Sequence, residues 1–311
     1  MGRILVTGAS TWLGGQVVAA LARRRHDEVF AVDEVAPRHQ LGAPFILLGS
    51  DRAALADHVL ALQPDTVVHL LTAADGLVPN GGDIADQAVV GNQALFGAAG
   101  RADTVRRVVV RSDVAVYPLG PRSPSVLTEG DADRSPADGF ARSVVDTEAA
   151  AAALAARRSD ISVAVLRLAS VFGPTVDNSL SRYLHLPVVP TLLGFDPRLH
   201  LLHQDDAVSA VLAAVDGTAA GTCNVASDGP MYLSRLLRLG RRVAQPLPRP
   251  ALAMARNALG RGGLRLPGHL ALLLEHGMVL DTGAMRRQLG FTPRFSIRHA
   301  ALAMRQGADQ P

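Results

Sequence analysis

The segment Gly2-Arg3-Ile4-Leu5-Val6-Thr7-Gly8-Ala9-Ser10-Thr11-Trp12-Leu13-Gly14-Gly15 decides the fold of this chain. Ile4, Leu5 and Val6 form a short apolar run that stops at Gly8. Beyond it Val17, Val18 and Leu21 recur on one face, which predicts a helix over residues 13–25. A strand, a glycine turn and a helix in that order aim the helix's first N–H groups and its positive dipole end at the turn, where a pyrophosphate can bind. Gly8 permits the tight turn, and Gly14 lets helix and strand pack closely. The G-x-x-G-x-x-G spacing asks for glycine at position 11, but Thr11 stands there, and its Cβ is expected to narrow the phosphates' approach. Gly8, Ser10, Thr11, Trp12, Leu13 and Gly14 are therefore the candidate phosphate-binding residues. A glycine-rich turn that binds nothing is the other reading of the same stretch.

Outward from this turn, apolar runs and helical patterns alternate. Strands are predicted over residues 29–32, 45–48, 66–71, 107–110 and 161–166, and helices over 51–62, 84–99 and 138–157. The strands are continuously apolar rather than alternating, which implies burial on both faces and a doubly wound parallel (Rossmann) α/β sheet. Beyond residue 173 the apolar runs shorten and Pro, Gly and Arg accumulate. The expected organisation is a dinucleotide-binding domain over 1–173, to which 202–225 returns. A smaller substrate lobe is expected over 174–201 and 226–311. Residues 251–276 read as a helix pair of that lobe or as one interfacial amphipathic helix; their internal glycines and Pro267 favour the pair.

Asp33 ends the second strand, where a carboxylate can accept both hydroxyls of an adenosine ribose. That favours NAD over NADP, since Asp33 and Glu34 repel a 2′-phosphate. Ser50 and Asp51 follow the third strand and can meet adenine; a helix cap by Asp51 is an equal alternative.

Composition narrows the chemistry. Among 311 residues there is no lysine, and all 31 basic residues are arginine. This excludes a Schiff-base lysine and a G-x-x-x-x-G-K-[ST] phosphate loop. Formal net charge is only +3 and aromatics are 4%, so no nucleic-acid surface is expected. The single cysteine, Cys223, excludes an internal disulfide and a multi-cysteine metal site, and no metal is expected. No uninterrupted apolar stretch is long enough to span a bilayer and the opening run shows no leader pattern, so a cytoplasmic location is expected.

Further segments match in order. Pro64-Asp65-Thr66-Val67-Val68-His69-Leu70, Asn92, Val116-Tyr117, Arg167-Leu168-Ala169-Ser170-Val171-Phe172-Gly173-Pro174 and His203-Gln204-Asp205-Asp206 together resemble the extended short-chain dehydrogenase/reductase family, its NAD-dependent epimerase/dehydratase group. The match covers nearly the whole chain. The resemblance adds Leu70, Leu71, Thr72, Asn92 and Ser112 as cofactor contacts, and Tyr117, Phe140, Arg182 and His203 as candidate substrate contacts; the alternatives are a structural histidine before a helix cap for His203 and a solvated arginine for Arg182. It also implies a Tyr-x-x-x-Lys pair after the fifth strand and a Ser or Thr at the end of that strand. Here Phe140 takes the tyrosine place, Val144 the lysine place and Asp113 the Ser/Thr place. Phenylalanine has no proton to exchange and valine cannot hold a ribose. Losing a positioned acid or base costs roughly 10²–10⁴-fold in rate. Asp113 is the remaining candidate catalytic group, as a general base or an anchor for a substrate hydroxyl; a solvated turn aspartate is the alternative. Two functions follow as expectations. One is a divergent enzyme of isomerase, lyase or cyclase type on a small molecule or nucleotide sugar. The other is a dinucleotide sensor without catalysis. An intact, polar, closed substrate cleft would favour the first, a collapsed cleft filled by Phe140 and Val144 the second. The expected partner is a small-molecule substrate or ligand, with a homodimer left open.

Overall fold

The computed structural model describes residues 2–24, 26–49, 51, 53–70, 84–132 and 136–303. The first half of the chain builds β1 (Gly2–Thr7), α1 (Trp12–Ala22), β2 (Asp27–Asp33), β3 (Phe45–Leu47), α2 (Ala54–Leu62), β4 (Thr66–His69), α3 (Ile84–Arg101) and β5 (Arg107–Asp113). Then follow α4 (Gly139–Arg157), β6 (Ser162–Leu168), β7 (Val171–Phe172), α5 (Ser179–Leu184), β8 (Val188–Leu192), β9 (Arg198–Leu199), β10 (Leu202–His203), α6 (Gln204–Asp216) and β11 (Gly221–Val225). The last part holds β12 (Met231–Tyr232), α7 (Leu233–Leu239), β13 (Val243–Leu247), α8 (Arg249–Arg261), α9 (Gly268–His276), α10 (Gly283–Gln288) and α11 (Ile297–Ala303).

The apolar runs of β1, β4, β5 and β6 are buried because both faces of the sheet are covered. Seven strands lie in the order β11-β6-β5-β4-β1-β2-β3, every pair parallel. The doubly wound parallel sheet expected from the sequence is the fold observed. α1 and α6 pack on one face, and α2, α3 and α4 on the other. The chain order reverses beside β1, so the C-terminal ends of β1 and β4 open a crevice where ligands of such sheets bind. β11 joins the sheet edge through β6, while three two-stranded pieces, β10-β7, β12-β9 and β13-β8, shape the rest of the chain.

One local boundary shifts and one local expectation is met. The helix read from Asp51 begins at Ala54, with the Asp51 carboxylate accepting the Ala54 N–H at 3.2 Å as a cap. Residues 251–276 are two helices, α8 and α9, linked by an Arg256–Glu275 ion pair at 2.5 Å. Among the described residues no helix is long and apolar enough to cross a membrane.

Candidate functional site

The β1–α1 turn is built from its own hydrogen bonds. Gly8 sits at φ 73°, a conformation that glycine adopts without strain. Thr11 is the N-cap of α1: its hydroxyl accepts the Gly14 N–H at 3.0 Å and donates to the Gly8 carbonyl at 2.7 Å. The Thr11 hydroxyl therefore folds back to close the turn. A Cβ on Gly14 would lie 2.0 Å from the Gly8 carbonyl oxygen, so only glycine fits there. The N–H groups of Trp12 and Leu13 carry no partner among the described residues, leaving two donors at the helix start. Trp12 donates from its indole to Thr175 at 3.1 Å, and Thr175 in turn donates to the Gln204 side chain at 3.0 Å. This ties the turn to the segment after β7.

Asp33 is buried at the end of β2 and accepts the Ser10 N–H at 2.7 Å and the Glu34 N–H at 2.6 Å. Burial raises its pKa, and those backbone donors oppose the rise. The Val35 N–H and the Ser10 hydroxyl act on it in the same direction. Ser50, Leu71 and Thr72 lie outside the described residues. Leu70 is fully buried.

Three cofactor or substrate candidates are turned inward instead. Asn92 accepts from His69 at 3.0 Å and donates to Thr147 at 2.8 Å; Thr147 donates to the Ser143 carbonyl, and Thr7 bonds the other His69 nitrogen at 2.7 Å. Burial lowers the His69 pKa to about 4, so the ring is neutral within this chain. Ser112 is fully buried and donates to Glu148. Tyr117 donates to Asn224 at 2.5 Å and accepts from Arg167 at 3.0 Å, while Arg167 grips Glu148 through two bonds of 2.8 and 2.7 Å. Asn92, Ser112 and Tyr117 thus satisfy buried polar groups, which is what burial without water demands.

His203 and Arg182 take the places of a helix-cap histidine and a solvated arginine. His203 caps α6, accepting the Asp205 N–H at 3.3 Å, and its ring stacks on Phe295 with centroids 4.2 Å apart. Arg182 is held on the exposed side of α5 by Asp177 through bonds of 2.5 and 2.7 Å.

The crevice opens into a cleft of about 280 Å³ that runs from Thr11, Trp12 and Leu13 to Arg111, Asp113, Asp138 and His269. Phe140 lines it, and Val144 is buried one turn further along α4. Asp113 ends β5, accepts the Ala115 N–H at 2.8 Å and is half-buried. Burial raises its pKa; His269 and Arg111 pull it back, and Asp138 adds to the rise. Asp138 caps α4 by accepting the Ala141 N–H at 2.8 Å, and also takes the His269 backbone N–H at 3.0 Å and its Nδ1 at 2.8 Å. Sequence reasoning missed both residues of this pair. They stand 131 positions apart, and the only local signal was an N-cap aspartate and a Pro-Gly helix start.

A model of the NAD-dependent epimerase/dehydratase family matches residues 4–226. The chain belongs to this family. An uncharacterized protein of Mycobacterium tuberculosis is 38% identical over 96% of this chain and 81% of its own length. A Streptomyces protein named 3-diazoavenalumate denitrifying reductase is 31% identical over 83% of this chain and 87% of its own. Among solved folds of the family, UDP-glucose 4-epimerase of Thermotoga maritima superposes with a TM-score of 0.75 at 18% identity, covering 98% of this chain and 97% of that one. MoeE5 in complex with UDP-glucuronic acid and NAD gives 0.75 at 23% identity, covering 99% of both chains.

Proposed function

We propose that this chain is an NAD-dependent enzyme of non-standard type, acting on a small molecule or nucleotide sugar without a tyrosine–lysine pair. The observation that carries the reading is the uncollapsed cleft. It joins the free N–H donors of α1 to an arginine, two carboxylates and an imidazole, and Phe140 and Val144 do not fill it. A binding protein without chemistry has no need of that cluster. The Streptomyces relative, named as a reductase, supports an enzymatic role.

The residues fit a dinucleotide. Gly8 permits the tight turn and Gly14 the close packing of strand and helix, the Trp12 and Leu13 N–H groups would face a pyrophosphate, and Asp33 would take the adenosine ribose. NAD, when bound, supplies reversible hydride transfer. The chain's own part is to hold the substrate against it. Arg111 draws negative charge, and Asp113, with its pKa raised by burial, exchanges or anchors a hydroxyl proton.

Calorimetry is expected to show NAD binding more tightly than NADP. Asp33→Ala should weaken NAD by about 10–100-fold, the loss of charge-assisted bonds of roughly 1.5–3 kcal/mol. A wild-type preference for NADP would remove Asp33 as the ribose ligand. Purified protein should also fail to interconvert UDP-glucose and UDP-galactose at a useful rate. Robust turnover would overturn the reading that the tyrosine–lysine pair is dispensed with.

A further inference from the structure

We infer that His269, oriented by Asp138, is a second acid–base group of the cleft besides Asp113, serving a small substrate with a hydroxyl or carbonyl at the reacting carbon. This rests on the reading of the cleft as a dinucleotide-dependent active site. His269 lies in the first turn of α9 and Asp138 caps α4, so one carboxylate is shared by two helix starts. Three backbone or ring donors fix that carboxylate at 2.8–3.0 Å. Burial works against its ionisation, but the His269 ring and the Ala141 N–H hold its pKa well below the usual carboxylate range. An ionised carboxylate on Nδ1 requires a proton there, so a neutral ring must present the Nε2 lone pair. Nε2 has no partner among the described residues and is not shut off from solvent. It belongs to a side chain that lines the cleft beside Asp113.

The ring is held from its other side too. Phe140 packs against it with centroids 4.7 Å apart, so an aromatic face without a hydroxyl supports the imidazole. An orienting carboxylate, a fixed tautomer and an open nitrogen are the parts that proton transfer by histidine requires. In the forward direction Nε2 takes the proton of a substrate O–H, and the bonding pair stays on oxygen. Asp138 stabilises the resulting imidazolium at Nδ1, and the reverse step returns the proton to oxygen. Arg111, on the same strand as Asp113, has no ion pair among the described residues and offers its charge to that oxygen or a neighbouring anionic group. Asp138 is a positioning residue in this scheme.

The test is nitrogen NMR of the full chain labelled at histidine, in mildly alkaline buffer, with His269 assigned through His269→Gln. The expected spectrum shows the Nδ1–H tautomer for His269, against the usual preference for Nε2–H, and Asp138→Asn should return it toward the usual form. Diethyl pyrocarbonate should modify His269 at Nε2, read by peptide mass spectrometry, several-fold more slowly in Asp138→Asn. Saturating NAD should protect it. A wild-type Nε2–H tautomer, or modification unchanged by bound NAD, would overturn the inference while leaving dinucleotide binding intact. Calorimetry that finds no NAD binding would instead overturn the proposed function, and the tautomer would still decide the state of His269.

Discussion

Gly14→Ala is expected to destroy the dinucleotide turn. The added methyl would stand 2.0 Å from the Gly8 carbonyl oxygen, 2.7 Å from its carbon and 2.9 Å from the Ala9 Cα. All three are backbone atoms, so no rotamer can swing aside, and β1 and α1 must separate. The expected cost is about 3 kcal/mol or more, at or above the upper end of overpacking. Affinity for NAD should fall below detection by calorimetry even where the chain still folds. Gly15→Ala is the internal control, since its new Cβ would meet nothing closer than 3.5 Å. There the gain in helix propensity should leave stability equal to or about 0.5–1 kcal/mol above that of the parent. Equal denaturation midpoints for Gly14→Ala and the parent would refute the close approach of strand and helix.

Glu148→Ala should be the most damaging change away from the turn. Glu148 receives both arms of Arg167 and the Ser112 hydroxyl, and Arg167 also bonds Tyr117 and the Glu129 carbonyl. The Arg167 side chain is 7% exposed. Burial disfavours its charge, yet Glu148 and Tyr117 together push its pKa upward. Removing the carboxylate leaves a guanidinium stranded between β5, β6 and α4, at about 3–5 kcal/mol. Replacing both partners by apolar residues, Glu148→Leu with Arg167→Met, should cost less than Glu148→Ala alone. Urea unfolding of the three variants reads the order directly, and a double variant worse than the single one would show that the pair stabilises the fold on balance.

The sheet was legible because every central strand is a compact apolar run, and burial on both faces leaves no other use for such a run. Two-residue strands such as β7, β9 and β10 carried no such signal: they exist because distant loops meet, not because of local pattern. The turn was legible from Gly8 and Gly14, but the capping role of Thr11 was not, because spacing reports where a side chain starts and not where its hydroxyl turns. Asn92, Ser112 and Tyr117 illustrate the same limit. Their polar tips satisfy buried partners contributed by α4, β6 and β11, elements far from them in sequence. Asp138 and His269 were missed for the opposite reason, being unremarkable singly and chemically distinct only as a pair.

Cys223 has a practical consequence. It is the chain's single cysteine, sits in β11 at 4% exposure, and burial pushes its thiol up to about 12. At neutral pH the native protein therefore presents almost no thiolate to an alkylating label. A cysteine introduced at Thr175, opposite Trp12, would be the sole reactive handle. A fluorophore placed there would report on the surroundings of Trp12, at one end of the cleft, against a dark background.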